Sequence, residues 1–298
     1  MNAACLIYNP AARGEKAAAL RRKIERLSDV TLMPTERPGH AMELAAKAAD
    51  NGAELVIAVG GDGTLYEVIN GLMQTQSQER PRLGLIPAGT ANVFALEHGI
   101  PWDLEAALQT ALHGTPKTID LIRADFQNAT RYAAQLAGVG FDAMTLGFVS
   151  WKLKKKYGKL AYWIAAVKAL FHARPALTCS FNRRRRECGL ALIGNGRFYG
   201  GRLVCFPDAS PVDGMMDLTL FPRVGLVTAA RVCARILTGR SLCLNRADYF
   251  QTNQITIESP GVDFQLEGEW VGVSPVTFSI IKHALTFNAP GPQSHRRK

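Results

Sequence analysis

The segment VIAVGGDGTLYEVING, residues 56–71, does most to limit what this chain can become. An apolar run delivers three glycines and an aspartate to the start of a helical pattern. It reads as a buried strand, a tight turn and a helix N-terminus. Glycine tolerates positive φ and lets a ligand or another backbone come close. The first helical turn carries unpaired N–H groups and the positive end of the macrodipole, which suits phosphate. An aspartate beside phosphates can hold Mg or its water shell. Gly60, Gly61, Asp62, Gly63 and Thr64 are therefore candidates for nucleotide phosphate binding, on the logic of glycine-rich phosphate loops. A tight βα turn without a ligand would use the same residues.

Alternating strands and helices fill the first 120 residues. Ala4–Tyr8, Val30–Met33, Glu54–Val59 and Leu83–Ile86 read as strands, and Glu15–Leu27, Ala41–Asn51, Thr64–Gln74 and Leu104–Leu112 as helices. Two further strand–loop–helix junctions, YNPAARG (8–14) and IPAGTANVFA (86–95), fall at the carboxyl ends of strands, where open parallel sheets bind ligands. Asn9, Pro10 and Gly14, with Gly89, Thr90 and Asn92, join the candidate site. Each loop alone suits an ordinary connection; three on one edge favour a shared site.

Beyond residue 120 the texture changes. Arg131–Leu136, Leu177–Asn182, Gly189–Ile193, Met216–Phe221, Gln254–Ser259, Asp263–Leu266 and Thr277–Ile281 are short β-like runs bounded by turn residues. Helical interludes fall at 151–172 and 224–238. The expected fold class is α/β plus all-β. A Rossmann-like α/β nucleotide domain spans 1–120 and an antiparallel β-sandwich spans 121–285.

The formal net charge is +10. From Trp151 to Arg186 there are eleven Lys or Arg and no acid, so the rest of the chain is close to neutral. A nucleic-acid coat would spread its charge more widely, so the expectation is no nucleic acid and one local anionic contact. The same stretch carries Trp151, Tyr157, Tyr162 and Trp163, which suits an anionic membrane surface where rings rest at headgroup level. A solvated helix face is the alternative. The apolar run 162–171 contains Lys168 and is too short to span a bilayer. Six dispersed cysteines without Cys-x-x-Cys spacing read as cytosolic thiols, and the N-terminus lacks signal-peptide character. The expected location is cytoplasmic, with peripheral membrane association.

NPAARG, GGDGTLYEV, PAGTANVFA, SPVDGMMDL and LEGEW, in this order, resemble the diacylglycerol kinase catalytic-domain family, which includes YegS-like lipid kinases and the sphingosine and ceramide kinases. The resemblance covers nearly the whole chain. It implies a lipid kinase with ATP between the two domains, a β-sandwich presenting a lipid substrate, and residues 286–298 returning to the first domain. It implies ATP contacts at Asn9, Thr35, Gly61 to Glu67, and Thr90. Tyr66 stands where the family often has Asn. It also implies an acidic pair at Glu267 and Glu269, with Glu267 in place of the family's Asp, acting as base with Mg, and Asp62 ordering the catalytic Mg. A structural Mg is implied on the Ser210 carbonyl, Asp213 and the Met215 carbonyl. From residues alone, EGE suits a solvated turn and Asp213-Gly214 a type I turn without an ion.

Two other functions share the GGDGT motif: a kinase of a soluble acceptor such as NAD, and a lipid-binding regulatory protein without turnover. The basic aromatic stretch argues against the first; Glu267 keeps the second open. Each Lys engaged at an anionic surface contributes about 1 kcal/mol. Replacing Lys154, Lys155 and Lys156 by Ala should therefore weaken binding to phosphatidylglycerol-containing vesicles in a sedimentation assay. Unchanged binding would refute the docking face.

Overall fold

The computed structural model describes residues 4–10, 22, 24, 30–75, 79–148, 168, 176–238 and 248–291. The chain divides into two compact units, Met1–Ile119 with His283–Lys298, and Asp120–Lys282. The expected helices at 15–27 and 151–172 lie almost wholly outside the described residues.

The first unit is built on strands β1 (Ala4–Tyr8), β2 (Val30–Pro34), β3 (Leu55–Gly60) and β4 (Arg82–Pro87), all parallel in the order β2-β1-β3-β4. Helices α1 (His40–Asp50), α2 (Asp62–Gln74), α3 (Val93–Glu97) and α4 (Leu104–His113) follow the strands. Leu6, Ile57, Val59 and Ile86 pack with Ala107, Leu108 and Ala111 of α4 in one apolar cluster, which explains why the central strands read as unbroken apolar runs. Tyr8 pairs with Pro34 and Val59, and Gly60 pairs with Pro87. The carboxyl ends of all four strands therefore finish level, and the loops after them open on one edge.

Carboxylates start several helices of this unit. The Asp103 side chain accepts the Ala106 N–H at the start of α4. Glu67, one turn into α2, reaches across to α1, where its oxygens accept the Gly39 and Ala41 N–H groups at 2.8 and 3.0 Å. His98 is stacked among Phe94 and Phe287, and burial, with a smaller effect of Lys117, drives its pKa down to about 3. It is neutral and has no metal partner among the described residues.

The second unit contains β5 (Thr115–Phe126, entering from the first), β6 (Ala129–Ala133), β7 (Leu136–Gly140), α5 (Phe141–Gly147), β8 (Leu177–Phe181), β9 (Arg184–Cys188), β10 (Leu190–Gly194), β11 (Phe198–Tyr199), β12 (Leu203–Val204), β13 (Met216–Phe221), α6 (Leu226–Leu237), β14 (Tyr249–Thr252), β15 (Gln254–Ile257), β16 (Asp263–Leu266), β17 (Glu269–Val273) and β18 (Val276–Ala289). One sheet, β14-β13-β10-β7-β16-β17, is antiparallel throughout. The β15 strand pairs antiparallel with the start of β18 and with β8, and β8 with β9. From His283 onward, β18 belongs to the first unit, where Phe287 pairs parallel with Leu83.

Two details depart from the sequence reading. The expected strand at 131–136 is two strands, because Ala134 and Gln135 turn their N–H groups to a side chain, described below. The β7 strand, LAGVG, is buried along its whole length and shows no alternation, so its periodicity carried no signal. The arginine run forms the β8–β9 hairpin: Asn182 and Arg183 both have positive φ, as a type I′ turn requires, and residues 184–187 are exposed.

Helix α2 packs on α1 through Gly71. A Cβ at Gly71 would strike the Met42 carbonyl oxygen and the Ala45 Cβ. Alanine favours a helix over glycine by up to about 1 kcal/mol, but overpacking against backbone costs about 1–3 kcal/mol. Gly71→Ala should lower the urea midpoint despite the better helix former.

Candidate functional site

In the first unit the GGDGT and PAGTAN loops interlock. The Asp62 side chain leaves α2 and its oxygens accept the Asn92 and Val93 N–H groups at 2.8 and 2.7 Å, capping α3. Asn92 is buried, left-handed at φ 49°, and closes its own loop: Oδ1 accepts the Gly89 N–H and Nδ2 donates to the Gly89 carbonyl, both at 2.9 Å. Gly61 and Gly89 meet backbone to backbone, so a Cβ on either would strike the other's Cα. The Ala88 N–H bonds the Gly60 carbonyl at 2.8 Å. Gly60 is a glycine for a separate reason: the Thr64 side chain lies over it. Burial raises the Asp62 pKa, and the backbone N–H groups partly oppose that rise.

Helix α2 begins at Gly61 with no side-chain cap, so its first turn can offer N–H groups to an anion. Gly89 and Thr90 are exposed beside it. Thr35 is tied to the β1 end by its N–H on the Tyr8 carbonyl at 2.9 Å, and exposed Asn9, with Pro10, follows that strand. These residues share the sheet edge. Glu67 is drawn off to α1. Gly14 lies outside the described residues.

In the second unit Glu267 and Gly268 form the two-residue turn between β16 and β17, with φ of 54° and 82°, the signs of a type I′ turn. The Glu267 Oε1 accepts the Ala134 and Gln135 N–H groups, each at 2.7 Å, and its own N–H donates to the Leu136 carbonyl at 3.1 Å. Glu269 opens β17 and is exposed. Beneath the turn lies a network that the sequence reading missed. The Gly268 N–H donates to Gln265 Oε1 at 2.6 Å, Gln265 Nε2 donates to Asp142 Oδ2 at 2.7 Å, and the Tyr199 hydroxyl donates to Asp142 Oδ1. Burial raises the Asp142 pKa against those two donors. The available signal was a single polar residue between apolar ones, in GFDAM and in FQL.

The SPVDGMMDL loop is closed on Asp120, another residue the sequence reading missed. The Asp120 N–H donates to the Pro211 carbonyl at 2.8 Å, and its Oδ2 accepts the Gly214 N–H at 2.7 Å. The Asp213 Oδ1 accepts the Met215 N–H at 2.9 Å. Asn195 Nδ2 donates to the Asp120 and Ala134 carbonyls, while Asn195 Oδ1 and both side-chain polar atoms of Gln135 are buried without a partner among the described residues. The Ser210 and Met215 carbonyls and the Asp213 carboxylate are hard oxygen donors on one loop, the donor type that suits Mg, and the Lys282 side chain lies against Gly214 in the same loop.

The basic aromatic segment lies outside the described residues except Lys168, which is exposed. Within the arginine hairpin, Asn182 is pinned to the Gln251 carbonyl and to the Thr252 hydroxyl, and Arg185 pairs with Glu258 at 2.8 Å. No helix among the described residues is long and apolar enough to cross a membrane.

Residues 3–124 match the model of the diacylglycerol kinase catalytic domain, and residues 136–289 that of the YegS C-terminal NAD kinase beta sandwich-like domain. A diacylglycerol kinase of Bacillus subtilis is 32% identical, with 93% of each chain covered. An Enterobacter protein named "Probable lipid kinase YegS-like" is 33% identical, covering 96% of this chain and 95% of its own. A crystal structure of a diacylglycerol kinase from Bacillus anthracis superposes with a TM-score of 0.75 at 22% identity, over 96% of both chains, and agrees with the fold.

Asp142 gives a pH signature. Its folded pKa lies above the ordinary 3.8, so between 3.8 and the raised value the folded state holds more protons than the unfolded state. Stability from this group is full below 3.8 and is lost as pH rises through the folded value. Asp142→Asn has no proton to lose. Subtracting its unfolding free energies from wild type across pH should leave a difference that falls with rising pH; a flat difference would contradict the assignment.

Proposed function

The chain belongs to the diacylglycerol kinase catalytic-domain family and is a lipid kinase, and from that premise we propose that it transfers the γ-phosphate of ATP to a hydroxyl of a diacylglycerol or long-chain-base lipid. The observation that carries the nucleotide half is the interlocked pair of glycine loops at the start of α2. Backbone N–H groups of Gly63 and Thr64 would bind phosphate oxygens. Gly89, Thr90, Thr35, Asn9 and Pro10 would border the nucleotide from the same sheet edge. Asp62 is already fixed by two N–H bonds, so it would act through its remaining lone pairs on the water shell of Mg.

An alcohol is a poor nucleophile, so the acceptor hydroxyl needs a carboxylate to receive its proton. Glu269, exposed at the mouth of β17, is the residue we assign to this step. Glu267 holds the turn through Oε1 and would assist through Oε2. Bound ATP would supply the γ-phosphoryl group and leave as ADP, and Mg would neutralise phosphate charge. Ser210, Asp213 and Met215 would hold a second, structural Mg. The acceptor resides in a bilayer, so the basic stretch 151–186 is assigned to transient contact with anionic lipid.

Incubation with labelled ATP, Mg and a total lipid extract should yield a labelled lipid, and NAD should take no label. Glu269→Ala should lower the rate by about 10²–10⁴-fold, the usual scale for a proton-transfer residue. Wild-type rates in that variant would remove Glu269 from the chemistry, and labelled NAD would favour the soluble-acceptor reading.

A further inference from the structure

Two-residue hairpin turns usually need only residues that tolerate positive φ. The Glu267-Gly268 turn is instead held from beneath by side chains of its own unit. Gln265 is 2% exposed and Asp142 9%, yet both are polar. The β16–β17 register shifts between Phe264 and Gln265, an irregularity of the kind that re-aims a side chain. The Gln265 amide uses both ends: its oxygen takes the Gly268 N–H at 2.6 Å and its nitrogen gives to Asp142 Oδ2 at 2.7 Å. Tyr199 holds the other Asp142 oxygen. Space for this chain exists because residue 138 is glycine: a Cβ there would fall on the Asp142 carboxylate and the Gln265 amide.

We propose that Asp142 and Gln265 are positioning residues that set the aim of the Glu267-Gly268-Glu269 turn toward the acceptor hydroxyl. The proposal rests on the lipid-kinase reading above. Asp142 fixes which way the Gln265 amide faces, and the amide oxygen then fixes the Gly268 N–H. The Glu267 contact with Ala134 and Gln135 holds the other side of the turn. Neither residue of the pair needs to touch substrate.

A swap of amide and carboxylate tests the chain. Gln265→Glu keeps an acceptor for Gly268 but sets a second carboxylate against Asp142. Measured on folded protein, kcat for lipid phosphorylation should fall about 10²-fold, the scale of an ångström-sized misplacement, with KM for ATP unchanged. Adding Asp142→Asn offers an N–H to the new carboxylate and keeps an oxygen for Tyr199, so kcat should recover most of the loss. Wild-type kcat in folded Gln265→Glu, or a double variant no faster than the single, overturns the proposal. Hydrogen exchange at the Gly268 amide gives a second readout, with Gln265→Met as the variant. Faster exchange than wild type supports the pair, and equal protection overturns it. Wild-type protein that phosphorylates no lipid sinks the kinase reading, while the Gly268 exchange still judges whether the pair holds the turn.

Discussion

The carboxylate of Asp62 binds the Asn92 and Val93 N–H groups, and this pair of bonds fixes the working edge of the first unit. Strand pairing joins the two glycine loops only as far as the Ala88 N–H on the Gly60 carbonyl and does not by itself lock them beyond that point. The charge-assisted bonds do so, and they succeed only because Gly61 and Gly89 have no side chains to hold the backbones apart. Gly61 and Gly89 are thus explained by close backbone approach. Once the loops are locked, the uncapped start of α2 and the exposed Gly89 and Thr90 keep fixed positions, which is what a polyphosphate site needs from its protein.

The same device recurs. Glu67 anchors the start of α1, Glu267 anchors the β6–β7 connection, and Asp120 anchors the Gly214 loop, each through backbone N–H groups. Carboxylates near the candidate site therefore serve first as clamps on irregular backbone. An acid that satisfies buried N–H groups stiffens a loop without hydrophobic core beneath it. Glu267 tolerates a positive φ within this arrangement, and its side chain reaches two neighbouring amides.

Much of the fold was legible. The β3 strand and α2 followed from one apolar run breaking at three glycines, and the antiparallel character of the second unit followed from short runs between turn residues. Less legible were β7, which is buried on both faces and so loses its alternation, and β9, whose arginines conceal a strand because both of its faces are exposed. Asp142, Gln265, Tyr199 and Asp120 were illegible as a site. They are distant in sequence, and their significance lies in bonds to one another and to backbone.

By itself the sequence determined the family, the element types and the glycine edge of the first unit, because those depend on local conformational freedom and on apolar periodicity. Only the tertiary structure decided which acids are clamps. A carboxylate's role depends on which N–H groups lie within about 3 Å of it, and chain folding, not spacing along the chain, brings Asn92 to Asp62 or Gln265 to Asp142.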